Sequence, residues 1–90
     1  MSTVFRRHPD LRLTALDNEG VVLHLGTLKY FTVNDTGLTI LRALESPRTM
    51  ADLVFAVTSD FDVTDDLAEQ TTRDFLAQCM TSGLIREDAE

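Results

Sequence analysis

The stretch Val21 to Gly37, VVLHLGTLKYFTVNDTG, restricts the fold more than any other part of the chain. Val21 to Leu25 is rich in branched residues and reads as a strand. Gly26-Thr27 reads as a two-residue hairpin turn, with Gly at the first central position as a type II′ turn prefers. Leu28 to Val33 is then the returning strand. Leu28, Tyr30 and Thr32 share one face, and Lys29, Phe31 and Val33 share the other. Phe31 and Val33 lead into a helix that Asn34 caps, so they form the core-facing pair.

Upstream, Leu11, Leu13 and Ala15 alternate with Arg12 and Thr14, a period of two. Leu11 to Leu16 is therefore a strand, and Asp17-Asn18-Glu19-Gly20 is the turn into the hairpin. The three strands make an antiparallel meander with two edges, and an unprotected edge offers backbone donors and acceptors to another chain. Residues 1–10 read as a flexible arm, because Pro9 bars helix entry there. Downstream, the first helix runs to about Glu45 and ends at Ser46-Pro47. Thr49 caps the second, with Asp52 in near capping-box position and Met50, Leu53, Val54 and Val57 as its apolar stripe. Thr64 caps the third, Asp65 and Asp66 suit its first turn, and Gly83 suits its C-cap. Leu84 and Ile85 return as a short extended piece. The order βββααα gives an α+β fold, one domain over residues 11–86 with an acidic tail at 87–90.

Ninety residues support one small core, and 43% hydrophobic residues suffice for it. No run reaches the roughly 18 apolar residues of a membrane span, and the start lacks the apolar segment of a secretory signal. The single cysteine, Cys79, allows no internal disulfide, so the cytoplasm is the expected location. The formal charge is −7, with 15 acids against 8 bases, and the acids crowd the C-terminal third. That balance disfavours a phosphate backbone and favours a basic peptide or protein. Catalytic groups are few. His8 lies in the arm, and His24 lies mid-strand as a surface or satisfied residue. Cys79 falls on the apolar stripe of the third helix as a small hydrophobe. Asp60, Asp62, Asp65 and Asp66 lack the Gly and the closing Glu of a calcium loop. No phosphate-binding loop is present. The reading is a protein without catalytic residues, metal or cofactor.

Three segments carry a family resemblance. They are VVLHLGT-x-x-YF-x-VN-x-TG at residues 21–37, Ile40-x-x-x-Leu44-x-x-Pro47-x-Thr49-x-x-x-Leu53, and Phe75-Leu76 with Gly83-Leu84-Ile85. Together they span about residues 11–86 and resemble the PqqD family. The resemblance implies a winged helix-turn-helix-like RiPP recognition element, a domain that binds the leader of a ribosomally made precursor peptide. The chain looks most like the stand-alone elements of lasso peptide pathways. Partners implied are the leader, a separate leader peptidase and a cyclase. In the family the leader adds as an antiparallel strand to the third strand and packs against the third helix. Here that edge is Leu28, Lys29, Tyr30, Phe31, Thr32 and Val33. The helix offers Leu67, Thr71 and Phe75, with Asp74 and Gln78 beside them. Thr72 and Cys79 depart from the family, which carries larger aliphatics there.

Two other readings compete. A winged-helix DNA binder fits the element order, but one basic residue, Arg73, stands among Asp65, Asp66, Glu69 and Asp74 on the third helix. An assembly subunit pairing its own free edge would make the protein a weak homodimer rather than a monomer.

Overall fold

Each helix starts where a side chain takes up its free N–H groups. In the computed structural model, which describes residues 3–17 and 19–89, Asn34 Oδ1 accepts from the Gly37 N–H at 2.8 Å and opens α1, Asp35–Ala43. Thr49 Oγ1 accepts from Asp52 N at 3.2 Å, and the Asp52 carboxylate accepts from Thr49 N at 3.1 Å. That reciprocal capping box opens α2, Met50–Asp60, and the Thr49 N–H holds the Asp52 carboxyl below its ordinary value. Thr64 Oγ1 accepts from Leu67 N at 3.2 Å and opens α3, Asp65–Thr81. Gly83, at φ 76°, turns the chain out of α3 in the left-handed conformation that glycine adopts without penalty.

The strands are β1 (Thr3–Arg7), β2 (Leu11–Leu16), β3 (Glu19–His24), β4 (Lys29–Asn34), β5 (Arg48–Thr49) and β6 (Ile85–Ala89). They form two antiparallel three-stranded sheets, ordered β2-β3-β4 and β5-β1-β6. The architecture is α+β, with antiparallel sheets and three helices. The expected meander is the first sheet, and its Leu11–Leu16 strand has the expected bounds.

The second sheet corrects the expected arm and tail. Residues 3–7 are a central strand, with Val4 and Phe5 buried. β1 pairs with β6 from Thr3↔Ala89 to Arg7↔Ile85, and an Arg6–Asp88 ion pair at 2.6 Å joins the two strands. The cause is burial: apolar side chains at a chain end are stabilised by ~1.5–3 kcal/mol each when a partner strand covers them. Glu87 and Asp88 of the expected tail thus lie in β6, while Met1, Ser2 and Glu90 lie outside the described residues.

The hairpin also differs. β3 begins at Glu19, and the turn holds four residues, Leu25 to Leu28, closed by the pair His24↔Lys29. Leu28, not Gly26, takes the left-handed conformation (φ 59°), and its N–H donates to the His24 carbonyl at 2.7 Å. His24 is buried, and its Nδ1 accepts from the N–H groups of Gly26 and Thr27 at 3.1 and 3.3 Å. A side chain that fastens the turn from below selects the longer loop.

α1 packs on β3 and β4 of the first sheet, while α2 contacts β1 and β5, and α3 contacts β6, of the second. Ile40 and Leu41 of α1, Leu53 and Val57 of α2, Leu76 of α3 and Val22 of β3 form the fully buried centre. Phe31, Val33 and Phe75 are half-buried at its border. That border position makes them available to a second molecule.

Candidate functional site

β4 pairs only with β3 among the described residues, so it is a sheet edge. Every second residue of such an edge turns its N–H and C=O away from the sheet, without a strand partner. The other wall of the space beside it is α3. Between them lies a groove of about 260 Å³, lined by Phe31, Thr32, Val33 and Asn34 of β4, Phe75, Gln78 and Cys79 of α3, and Ser82 and Leu84 beyond it. A second hollow of about 240 Å³ adjoins it, sharing Asn34, Phe75 and Gln78 and adding Thr36, Gly37, Thr71 and Asp74.

The two hollows differ in chemistry. Phe31, Val33, Cys79 and Leu84 make the first largely apolar. Burial pushes the Cys79 thiol up to about 11, so at neutral pH it is protonated and meets the groove as a neutral, weakly polar atom. The second is lined by amide, hydroxyl and carboxylate groups. Asp74 keeps its place by accepting from Gln70 Nε2 at 2.9 Å, one helical turn away. Phe75 stands between the two, half-buried, and is the aromatic surface common to both.

Of the residues singled out from sequence, the structure gathers Phe31, Thr32, Val33, Thr71, Asp74, Phe75 and Gln78 around these hollows. Lys29 and Tyr30 lie on the same strand but line neither; Tyr30 points its ring to the opposite face of the sheet and is exposed. Leu28 is in the turn rather than on the edge. Leu67, one turn into α3, is exposed and outside both hollows. Asn34, expected only as a cap, lines both hollows, and Gly37, to which no binding role was assigned from sequence, lines the second. Their signal was present in the resemblance motif itself, in Asn34-x-Thr36-Gly37.

No helix among the described residues is long and apolar enough to cross a membrane. A search of curated protein sequences finds no match. Among solved structures, the chain is similar to one described as TbiB1 in complex with the TbiA(beta) leader peptide. That similarity has a TM-score of 0.78 and 27% identity, and covers 94% of this chain and 99% of the other. It is also similar to a structure described as lasso peptide synthetase B1 complexed with the leader peptide, with a TM-score of 0.71 and 25% identity, over 91% of this chain and 96% of the other. The sequence matches the family described as Coenzyme PQQ synthesis protein D (PqqD) over residues 19–85, a segment that contains β3, β4, all three helices and both hollows. The chain belongs to the PqqD family.

Proposed function

We infer that this protein is a RiPP recognition element. It binds the leader segment of a ribosomal precursor peptide, of the lasso class, and presents it to a leader peptidase carried on a separate chain. Its own part is binding rather than catalysis. The meander is read as the wing of a winged helix-turn-helix-like arrangement. The observation that carries the reading is the free β4 edge facing α3 across an apolar groove, in a chain similar to two proteins described with leader peptides bound.

The mechanism follows from the two kinds of surface. A peptide laid antiparallel along β4 meets about three outward-facing residues of the six in the strand. Each of them exchanges two backbone hydrogen bonds of ~1 kcal/mol net, about 6 kcal/mol in all. Ordering a flexible peptide costs ~2–5 kcal/mol and its lost translational and rotational freedom at least ~4 more, so backbone pairing alone does not hold it. The surplus comes from apolar side chains seated between Phe31, Val33 and Phe75, each contributing ~1.5–3 kcal/mol when fully buried. The edge therefore sets direction and register, and the hollows set specificity.

The test is a fluorescence-anisotropy titration with a labelled leader segment from the precursor encoded in the gene neighbourhood. Saturable binding with the peptide left intact is expected. A flat titration up to high micromolar protein contradicts the reading.

A further inference from the structure

The hollow beside Thr71 and Asp74 is the polar half of the groove, and its charge is one-sided. Asp74 is its only charged residue, set among the hydroxyls and amides of Thr36, Thr71 and Gln78. The Asp74 carboxylate makes no ion pair among the described residues and accepts from the neutral Gln70 amide at 2.9 Å. The neighbouring cation on the helix is already engaged: Arg73 is paired with Glu69, one turn back. Lys29, the cation of β4, lies at the other end of the strand, opposite His24 at the turn.

The first turn of α1 borders the same hollow through Thr36 and Gly37, and a helix N-terminus attracts negative charge. Here those donors are taken. The Thr36 N–H donates to the Asp35 carboxylate at 2.9 Å, and the Gly37 N–H donates to Asn34 Oδ1 at 2.8 Å. Asp35 thereby sets a second carboxylate beside the hollow. An acidic ligand group would meet two like charges, with the N–H groups of Thr36 and Gly37 already used.

The walls pass the two hollows in opposite order. β4 borders the apolar hollow from Phe31 and reaches the polar one at its end, with Asn34. α3 reaches the polar hollow first, with Thr71 and Asp74, and the apolar one later, with Cys79. Asp74 and Cys79 stand about 7.5 Å apart along the helix axis, at 1.5 Å per residue. A strand covers that distance in about two residues, and residues two apart share a face. A peptide antiparallel to β4 passes the polar hollow before the apolar one.

We propose that the polar hollow is a cation subsite, which selects leaders carrying Lys or Arg two residues before the apolar side chain seated between Phe31 and Phe75. The subsite deepens the leader-binding reading and rests on it. The alkyl stem of the Lys or Arg lies against the Phe75 ring, and the charged head donates to the Asp74 carboxylate and the Thr71 hydroxyl. An acidic residue at the same place in the peptide is repelled, so the hollow rejects as well as selects.

The experiment uses three labelled versions of the leader segment, with Lys, norleucine or Glu two residues before the apolar anchor. The anchor is the apolar residue whose change to Ala weakens binding most. Each peptide is titrated by anisotropy with wild type, Asp74→Asn, Asp74→Lys and Asp66→Asn, and circular dichroism checks that each variant is folded. Asp66 lies on α3 outside both hollows, so D66N controls for net charge. Wild type and D66N are expected to bind the Lys peptide ~2–5-fold more tightly than the norleucine peptide, and the Glu peptide more weakly still. D74N is expected to bind all three alike, and D74K to reverse the order. A wild type that binds the three alike, or an order of preference unchanged in D74N and D74K, overturns the proposal. So does a loss of preference in D66N equal to that in D74N, since the effect is then one of net charge. Each of these results leaves the leader-binding reading standing, because the peptides still bind. Failure of every peptide to bind wild type sinks that reading, and the cation subsite with it.

Discussion

Phe75 lies directly against the bare Cα of Gly37: a methyl group built there would come within 2.7 Å of the ring's Cε1 and 3.1 Å of Val33 Cβ. The absence of a side chain at this point lets α3 close on the start of α1 and sets the floor of the groove. Gly37→Ala gains ~0.5–1 kcal/mol of helix propensity and loses ~1–3 kcal/mol to overpacking, for a net loss of about 1 kcal/mol. The ring is the more mobile partner, so it swings into the groove. The variant is expected to remain folded in a urea titration while leader affinity falls at least tenfold. Unchanged affinity would remove Phe75 from the binding surface.

Leu28 is strained and of little use to the core. It is 73% exposed and sits at φ 59°, a region that costs an ordinary L-residue ~1–2 kcal/mol. Asn tolerates that conformation. Leu28→Asn is expected to raise stability by ~0.5–1 kcal/mol in chemical unfolding. The same variant measures the role assigned to Leu28 from sequence, because an edge contact with the leader would show as weakened binding.

Thr72 is fully buried in α3, and its hydroxyl finds no hydrogen-bond partner among the described residues. An unsatisfied buried hydroxyl costs ~1–3 kcal/mol, and Val has the same shape without it. Thr72→Val is expected to stabilise the fold by ~1 kcal/mol. Destabilisation in a thermal melt would mean that the hydroxyl is satisfied after all.

Cys79 links stability to alkaline pH. Burial raises its thiol from 9.0 to about 11, so between those values the unfolded chain loses its proton while the folded chain keeps it. The unfolded state then binds fewer protons, and stability falls as pH rises. The contribution is intact below pH 9 and is lost at up to ~1.4 kcal/mol per unit on the way to about 11. Urea titrations at several pH values should show that slope in the wild type and a shallower one in Cys79→Ala. Equal slopes would contradict it.

The caps were legible because they are local: Asn34, Thr49 and Thr64 each accept from the N–H three residues on, and the residue types alone announce it. The meander was legible from alternation. The second sheet was not, because Val4 and Phe5 find their partners at Arg48–Thr49 and Ile85–Ala89, and no local pattern carries that register. The turn misled because Gly26 is the residue that favours a positive φ, whereas the buried His24 imposes it on Leu28. Of the residues that line the hollows, strand alternation paired Phe31 with Val33, while Thr71, Phe75 and Gln78 came from the family resemblance. Leu67 came from the same resemblance, but lies near the start of α3, outside both hollows. Asn34 and Gly37 became site residues only once α3 was seen to cross the start of α1.

Leader binding as proposed requires the peptide to lie along β4 and against α3. The most direct measurement is a titration of ¹⁵N-labelled protein with the unlabelled leader segment, followed by NMR. Saturable shifts are expected, confined to the amides of Lys29–Asn34, Gly37, the Thr71–Thr81 stretch of α3 and Ser82, with slowed hydrogen exchange on alternate residues of β4. Saturable shifts centred on Phe55, or on the Arg6–Asp88 sheet, with β4 exchange unchanged, would contradict it.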